Sequence, residues 1–257
     1  MCLHDDILNF LASCRSLSLE KTEAAKLMQR MDTKYIVPAD NIIGLLYDIR
    51  RDYHVLEIAS HRTGNYTSVY YDTSDRKMYY AHVTGRLPRC KVRERFYSQN
   101  GQKFFEVKQK SNTGRTSKRR ISLTGKSNNI SDWLSEQIPF CADELTPSLI
   151  NSFERITFIN NKQTERITLD FNLHFRTPSG ADTPVFDRVA IVELKQEKTA
   201  ASPIREALHK KGIRPGGVSK YCTGMLLTGC ETRYKRYKPN YLRFIKTQHE
   251  FCYPTCH

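Results

Sequence analysis

Residues 90–97 read CKVRERFY. Side chains of an extended strand alternate between its two faces. Lys91, Arg93, Arg95 and Tyr97 therefore share one face, and Cys90, Val92, Glu94 and Phe96 the other. Three cations in a row on one face point to a bound anion, and the planar fork of arginine matches phosphate or carboxylate. The same alternation recurs along the chain. In KFFEVKQK, Glu106, Lys108 and Lys110 oppose Phe105 and Val107. In FERITF, Arg155 and Thr157 alternate with Glu154 and Ile156. In ERITLDFNLHF, Arg166, Thr168, Asp170, Asn172 and His174 oppose Ile167, Leu169, Phe171, Leu173 and Phe175. In VAIVELKQ, Glu193 and Lys195 oppose Val192 and Leu194, and RMDTKY sets Arg30, Asp32 and Lys34 on one side.

These polar faces mix cations with carboxylates, and two architectures fit them. A one-sided sheet would turn its charges to water, the ordinary outcome for a charged face. A closed barrel wrapped by helices would turn them into a lumen. The frequency of arginine and the interspersed acids, which offset repulsion among enclosed cations, favour the lumen.

The elements that must carry these faces are legible in outline. The chain has 257 residues, 39% of them hydrophobic, enough for a sizeable core. The first part (about 4–29) reads as helix, with Ser18 able to cap LEKTEAAKLMQR. Ile42, Ile43, Leu46 and Ile49 form an apolar stripe at helical spacing. Eight strands are predicted: DTKYIVP, YTSVYYDT, CKVRERFY, KFFEVKQK, RRISLT, SFERITFIN, ERITLDFNLHF and VAIVELKQ. In SPIREALHKKG, Ser202 caps a helix, Pro203 takes its first turn and Gly212 follows its last basic residues. The expected fold is α+β, a single domain with an antiparallel eight-stranded β-barrel core (about 30–227), flanking helices and a basic aromatic segment at 228–257.

Charge and motifs narrow the partners. The formal net charge is +14, and between Arg86 and Arg120 twelve Lys and Arg face two Glu. Such clustering predicts a polyanionic partner. RYKRYKPNYLRFIK interleaves basic and aromatic residues as single-strand binders do, but it lies outside the charged strands and packs more simply as an amphipathic tail, so no nucleic acid is expected. No GxxxxGK[ST] loop, GxGxxG turn or HExxH pair is present. Cys252, Cys256 and His257 cluster in CYPTCH but lack a fourth zinc ligand. The eight cysteines read as reduced thiols, no run of about 18 apolar residues predicts a transmembrane helix, and a cytoplasmic location is expected.

Seven of these segments in order (DTKYIVP, KVRERFY, FFEVKQK, SFERITF, ERITLDFNL, IVELK and VSKYCTG) resemble the VTC domain of the triphosphate tunnel metalloenzyme superfamily, over about Arg30 to Leu227. The resemblance implies a barrel whose lumen binds a triphosphate. It also implies a polyphosphate polymerase that moves the γ-phosphoryl of ATP to a growing inorganic polyphosphate chain, with Mn²⁺ or Mg²⁺ as cofactor. By position it implies that Arg93, Arg95, Lys108, Arg155, Arg166 and Lys220 are catalytic. Lys34, Lys91, Lys195 and Ser219 would bind substrate, and Glu193 would hold the metal. Glu106 and Asp170 would face the lumen. A tunnel open at both ends would let product thread out as ATP enters. Hydrolytic members carry E-x-E-x-K, where this chain has Arg30-Met31-Asp32-Thr33-Lys34, one acid fewer. Two alternatives stand beside the polymerase: a metal-dependent triphosphatase, and a non-catalytic module that binds polyphosphate or inositol phosphates.

Overall fold

The computed structural model describes residues 3–25, 31–124, 129–196 and 201–249. Arg30 and the Cys252, Cys256 and His257 cluster lie outside them. The strands, in chain order, are β1 (Ser16–Ser18), β2 (Met31–Pro38), β3 (Tyr53–Glu57), β4 (Thr63–Asp72), β5 (Arg89–Tyr97), β6 (Gln102–Lys110), β7 (Thr116–Ser122), β8 (Thr146–Asn160), β9 (Glu165–Arg176) and β10 (Val189–Gln196). The helices are α1 (Leu3–Ala12), α2 (Ile42–Ile49), α3 (Lys77–Val83), α4 (Ile130–Ser135), α5 (Pro203–Lys210), α6 (Lys220–Leu227) and α7 (Lys238–His249).

All eight predicted strands form, and they make one continuous antiparallel path in the order β2-β10-β9-β8-β4-β5-β6-β7. Two short strands join off this path: β3 pairs β8, and β1 pairs β3 in parallel. The path curls. Lys108 on β6 senses Lys34 and Asp32 on β2, six strands away along the path. The hydrogen-bonded ladder nevertheless does not close, because β2 and β7 are not paired among the described residues. The edge of β2 is met instead by the segment before α6: Tyr35 bridges Pro215, and the Gly216 N–H donates to the Lys34 carbonyl at 2.8 Å.

The N-terminal region departs from the single helix predicted for about 4–29. Helix α1 ends at Ala12, and the backbone of 16–18 is committed to a ladder with Val55, Leu56 and Glu57. Ser18 therefore sits in β1, and a 3₁₀ helix follows at Leu19–Ala25. The α5 signals, by contrast, are realised. The Ser202 hydroxyl accepts from the Arg205 N–H, Pro203 occupies the first turn and Gly212 takes a left-handed φ of 70°.

Three apolar clusters hold the sheet. The outer face of β2, β8, β9 and β10 packs on α1, α2 and α5 through residues such as Ile7, Leu45, Ile156, Leu169 and Leu208. The outer face of β5 and β6 packs on α4 through Val92, Val107 and Leu134. The third cluster lies on the same face as the cations. It joins Ile36, Tyr70, Leu149, Phe153, Leu173, Phe175, Val189 and Ile191 to Tyr221 and Met225 of α6, Tyr79 of α3 and Phe244 of α7.

A bulge at Asn172 explains part of this third cluster. Asn172 has φ 50°, and the β8–β9 register slips by one residue there. A one-residue slip exchanges the faces of everything beyond it. Ile167, Leu169 and Phe171 stay outside, whereas Leu173 and Phe175 turn in, so the five do not share a face as strict alternation predicts.

Helix α6 thus packs on the cation-bearing face. The seat is tight at Gly224: a Cβ there would lie 2.5 Å from Leu149 Cδ2 and 2.5 Å from Phe175 Cδ1. Gly224→Val should therefore lose about 1–3 kcal/mol of stability through overpacking, measured by denaturant titration. A variant as stable as the wild type would show that α6 is not seated this way.

Candidate functional site

Strand register brings the predicted residues together. Lys91, Arg93 and Arg95 alternate on β5, opposite Lys108, Glu106 and Phe104 of β6. On the other side of the curl, Glu193 opposes Lys34 and Lys195 opposes Asp32. Arg155 opposes Asp170, and Arg166 opposes Lys195. Helix α6 enters this face at its first turn, where Ser219 is the cap, its hydroxyl accepting from the Cys222 N–H, and Lys220 the first residue. All the predicted site residues therefore share one face. Arg166 joins this face beside Lys195, which in turn opposes Asp32.

Two buried carboxylates organise the cations. Glu106 accepts from Arg93 Nε at 2.8 Å and pairs with Arg93 Nη2 at 2.7 Å and Lys118 Nζ at 2.5 Å. Asp170 accepts from Arg155 at 2.5 and 2.7 Å, and also from Lys220 Nζ. Burial pushes both acids up, but their cations outweigh it and hold each down to about 2. Glu193 lies 3.4 Å from Lys195. Burial opposes its ionisation too, yet Lys34, Lys195, Arg155 and Lys108 together hold it well below the usual carboxylate range.

The remaining cations are held by neutral groups. Lys34 Nζ donates to the Val218 carbonyl at 3.2 Å, Lys91 Nζ to Ser219 Oγ at 3.3 Å and Arg95 Nε to Ser68 Oγ at 3.3 Å. Lys91, Arg95 and Lys108 make no ion pair among the described residues. Aromatic rings take up some of the charge. Arg155 lies over Tyr66 and Phe153, Lys220 over Phe153 at 4.2 Å, and Lys91 over Tyr70. Burial and the neighbouring Lys34, Arg93 and Lys108 bring the Lys91 ammonium down to about 7. Burial also brings Lys118 and Lys220 to about 8, against the pull of Glu106 and Asp170.

Sequence reasoning missed Lys118, Ser68, Tyr66 and Tyr70. Lys118 had a partial signal in its period-two spacing from Arg120, and the register sets the two on β7 opposite Lys108 and Glu106. A strand begun at Arg119 leaves Lys118 out. Tyr66, Ser68 and Tyr70 give no sign in sequence of facing the cations; only their register with Tyr97, Arg95 and Arg93 does that.

Among the described residues, no three His, Cys, Asp or Glu side chains gather into a metal cage. A hard divalent cation shared with substrate phosphates needs only one or two protein carboxylates. Glu106 and Asp170 are each engaged by two cations, and Glu193, 3.4 Å from Lys195, is the acid that fits such a shared ion.

Residues 29–228 match the VTC domain. The chain belongs to the VTC domain family. A search of curated proteins finds no match. Among solved structures, this VTC domain protein is similar to a candidate adenylate cyclase from Bacillus halodurans (15% identity, TM-score 0.47, covering 74% of this chain and 94% of that one). It is also similar to a candidate adenylyl cyclase from Hippeastrum with a dominant triphosphatase activity (15% identity, TM-score 0.47, 77% and 96%). A candidate adenylate cyclase from Vibrio parahaemolyticus is a third (15% identity, TM-score 0.42, 84% and 98%). The family assignment rests on the sequence match alone. No helix among the described residues is long and apolar enough to cross a membrane, and the described cysteines are free thiols.

Two measurements probe the electrostatics. Asp170→Asn removes the acid between Arg155 and Lys220, and breaking a buried pair from one side typically costs about 3–5 kcal/mol. The variant should unfold at lower denaturant and regain part of the loss when inorganic tripolyphosphate is added; no loss of stability would sink the assignment. As for pH, an anion bound beside Lys91 favours the protonated ammonium, so affinity for tripolyphosphate should fall as pH rises from 7 to 9 at fixed ionic strength. Lys91→Arg, charged throughout, should flatten the lower part of that slope. Identical profiles for variant and wild type would remove Lys91 from the site.

Proposed function

We propose that this VTC domain is a polyphosphate polymerase, which transfers the γ-phosphoryl of ATP to a growing inorganic polyphosphate chain and releases ADP. The observation that carries this reading is the set of cations on one curled face that its own carboxylates do not neutralise, Lys91, Arg95 and Lys108 above all. Such a face is incomplete without a polyanion. Phosphoryl transfer asks mainly for position and charge neutralisation, so no protein nucleophile is required.

In this reading Arg93, Arg95, Lys91 and Lys220 hold the triphosphate. Lys34 and Lys108 close on it from opposite sides of the curl, with Ser219 donating at the floor. Glu106 and Asp170 fix the directions of Arg93 and Arg155, so the donors need little rearrangement as charge develops. A terminal oxygen of the acceptor chain attacks the γ-phosphorus, the bond to the β-phosphate oxygen breaks, and ADP leaves with that electron pair. The acceptor approaches through the unclosed side of the ladder, where Lys108 and Lys118 are exposed. Arg166 and Lys195 extend the positive surface. Glu193 would hold Mn²⁺ or Mg²⁺ beside the phosphates, where the ion would supply additional neutralisation of the transferring group.

The test is incubation of the purified protein with ATP and Mn²⁺, followed by a gel stained for polyphosphate. Long chains are expected, with Arg93→Ala and Glu193→Gln each slowing the reaction about 10²–10³-fold while the fold, checked by circular dichroism, persists. Free phosphate without polymer would identify a triphosphatase instead. Binding without turnover would identify a non-catalytic module.

A further inference from the structure

RYKRYKPNYLRFIK, residues 233–246, supplies no side chain to the cation-bearing face described above. It forms a 3₁₀ turn at Lys235–Tyr237 that runs directly into α7. Tyr237, Asn240 and Arg243 fall three residues apart, the spacing of neighbours on a helix surface. All three reach one short strap, residues 215–219, which leads into α6. Arg243 Nη1 donates to the Pro215 carbonyl at 3.0 Å, and the Gly217 N–H donates to Asn240 Oδ1 at 3.0 Å. Tyr237 makes the closest hold. Its hydroxyl oxygen accepts from the Ser219 N–H at 2.9 Å and lies 3.2 Å from the Ser219 carbonyl oxygen and 2.6 Å from Thr223 Oγ1.

The same strap meets the cations. The Gly216 N–H donates to the Lys34 carbonyl, and the Val218 carbonyl accepts from Lys34 Nζ at 3.2 Å. Ser219 Oγ accepts from Lys91 Nζ at 3.3 Å, and Lys220, the next residue, donates to Asp170. Tyr237 thus grips the peptide of the residue whose side chain meets Lys91. Packing does not require that hydroxyl. The Tyr237 ring lies in the apolar cluster with Tyr221, Met225 and Phe244, where a phenyl ring would fill the same space. Burial pushes the phenol up, so it keeps its proton and can donate as well as accept. What the hydroxyl adds is direction. A peptide held at both its N–H and its carbonyl cannot turn without leaving a buried polar group unpaired.

We propose that Tyr237, backed by Asn240, is a positioning residue for the phosphate site. Through the Ser219 peptide it sets where Ser219 Oγ meets Lys91 and where Lys220 leaves the first turn of α6. It acts through those residues and not on the phosphates. This proposal rests on the phosphate-site reading above and gives the C-terminal segment a part in it.

The experiment is a double-mutant cycle in the full chain. Binding of inorganic tripolyphosphate is read by calorimetry in the wild type, Tyr237→Phe, Lys220→Ala and the double variant, each shown by its thermal melt to be folded at the assay temperature. Tyr237→Phe keeps the ring and removes only the hydroxyl. It should weaken binding about fivefold to tenfold when Lys220 is present and about twofold at most when Lys220 is replaced. A merely structural role would weaken binding by the same factor on both backgrounds. An equal or larger factor in the absence of Lys220, or no weakening in its presence, would overturn the positioning role and leave the phosphate site standing. Failure of the wild type to bind tripolyphosphate would overturn the phosphate site, and the positioning role with it. If Tyr237→Phe does not fold, Asn240→Ala, which frees only the Gly217 N–H, takes its place in the cycle and is judged by the same outcomes.

Discussion

Repulsion among cations on one face is the constraint around which the structure is arranged. Two like charges 4 Å apart cost on the order of 4 kcal/mol at the effective dielectric of a protein surface. Here Lys34, Lys91, Arg93, Arg95, Lys108, Arg155 and Lys220 converge across a curled sheet. The fold meets this with few acids, each placed between two cations: Glu106 between Arg93 and Lys118, Asp170 between Arg155 and Lys220. What those acids leave over is taken up by π faces, by hydroxyl and carbonyl oxygens, and by lowered lysine basicity.

Such a face is held together from elsewhere. The outer surfaces of the sheet are clamped by α1, α2 and α5 over one half and by α4 over the other. The inner surface has its own apolar cluster around α6, so Lys220 and Ser219 reach the cations from a helix anchored by Tyr221 and Met225. Asp72 ties this arrangement to the rest. Its buried carboxylate accepts from the Met78 and Tyr79 N–H groups of α3 and from the Tyr221 hydroxyl of α6. The cations are thus positioned by apolar packing of helices onto the sheet, which keeps their side chains preorganised.

Alternation made the strands and their polar faces readable. CKVRERFY, KFFEVKQK and VAIVELKQ form where the period-two pattern places them, and Ser202, Pro203 and Gly212 bound α5 as their chemistry requires. The pattern failed where long-range contacts override it. Ser18 is a good cap in isolation, but pairing with Glu57 holds it in a strand. The bulge at Asn172 reverses Leu173 and Phe175, and in FNLHF only the tolerance of Asn for positive φ hints at it. Lys118 needed the β6–β7 register to reveal that it reaches Glu106.

By itself, then, the sequence determined which residues alternate, where the chain turns and that a surplus of positive charge gathers in one region, because periodicity, turn chemistry and charge are local properties. Only the tertiary structure decided which way that charge faces, that α6 packs on that face, and that β2 and β7 are not paired among the described residues. Those outcomes depend on curvature, register and the packing of helices distant in sequence, and nothing within a single strand encodes them.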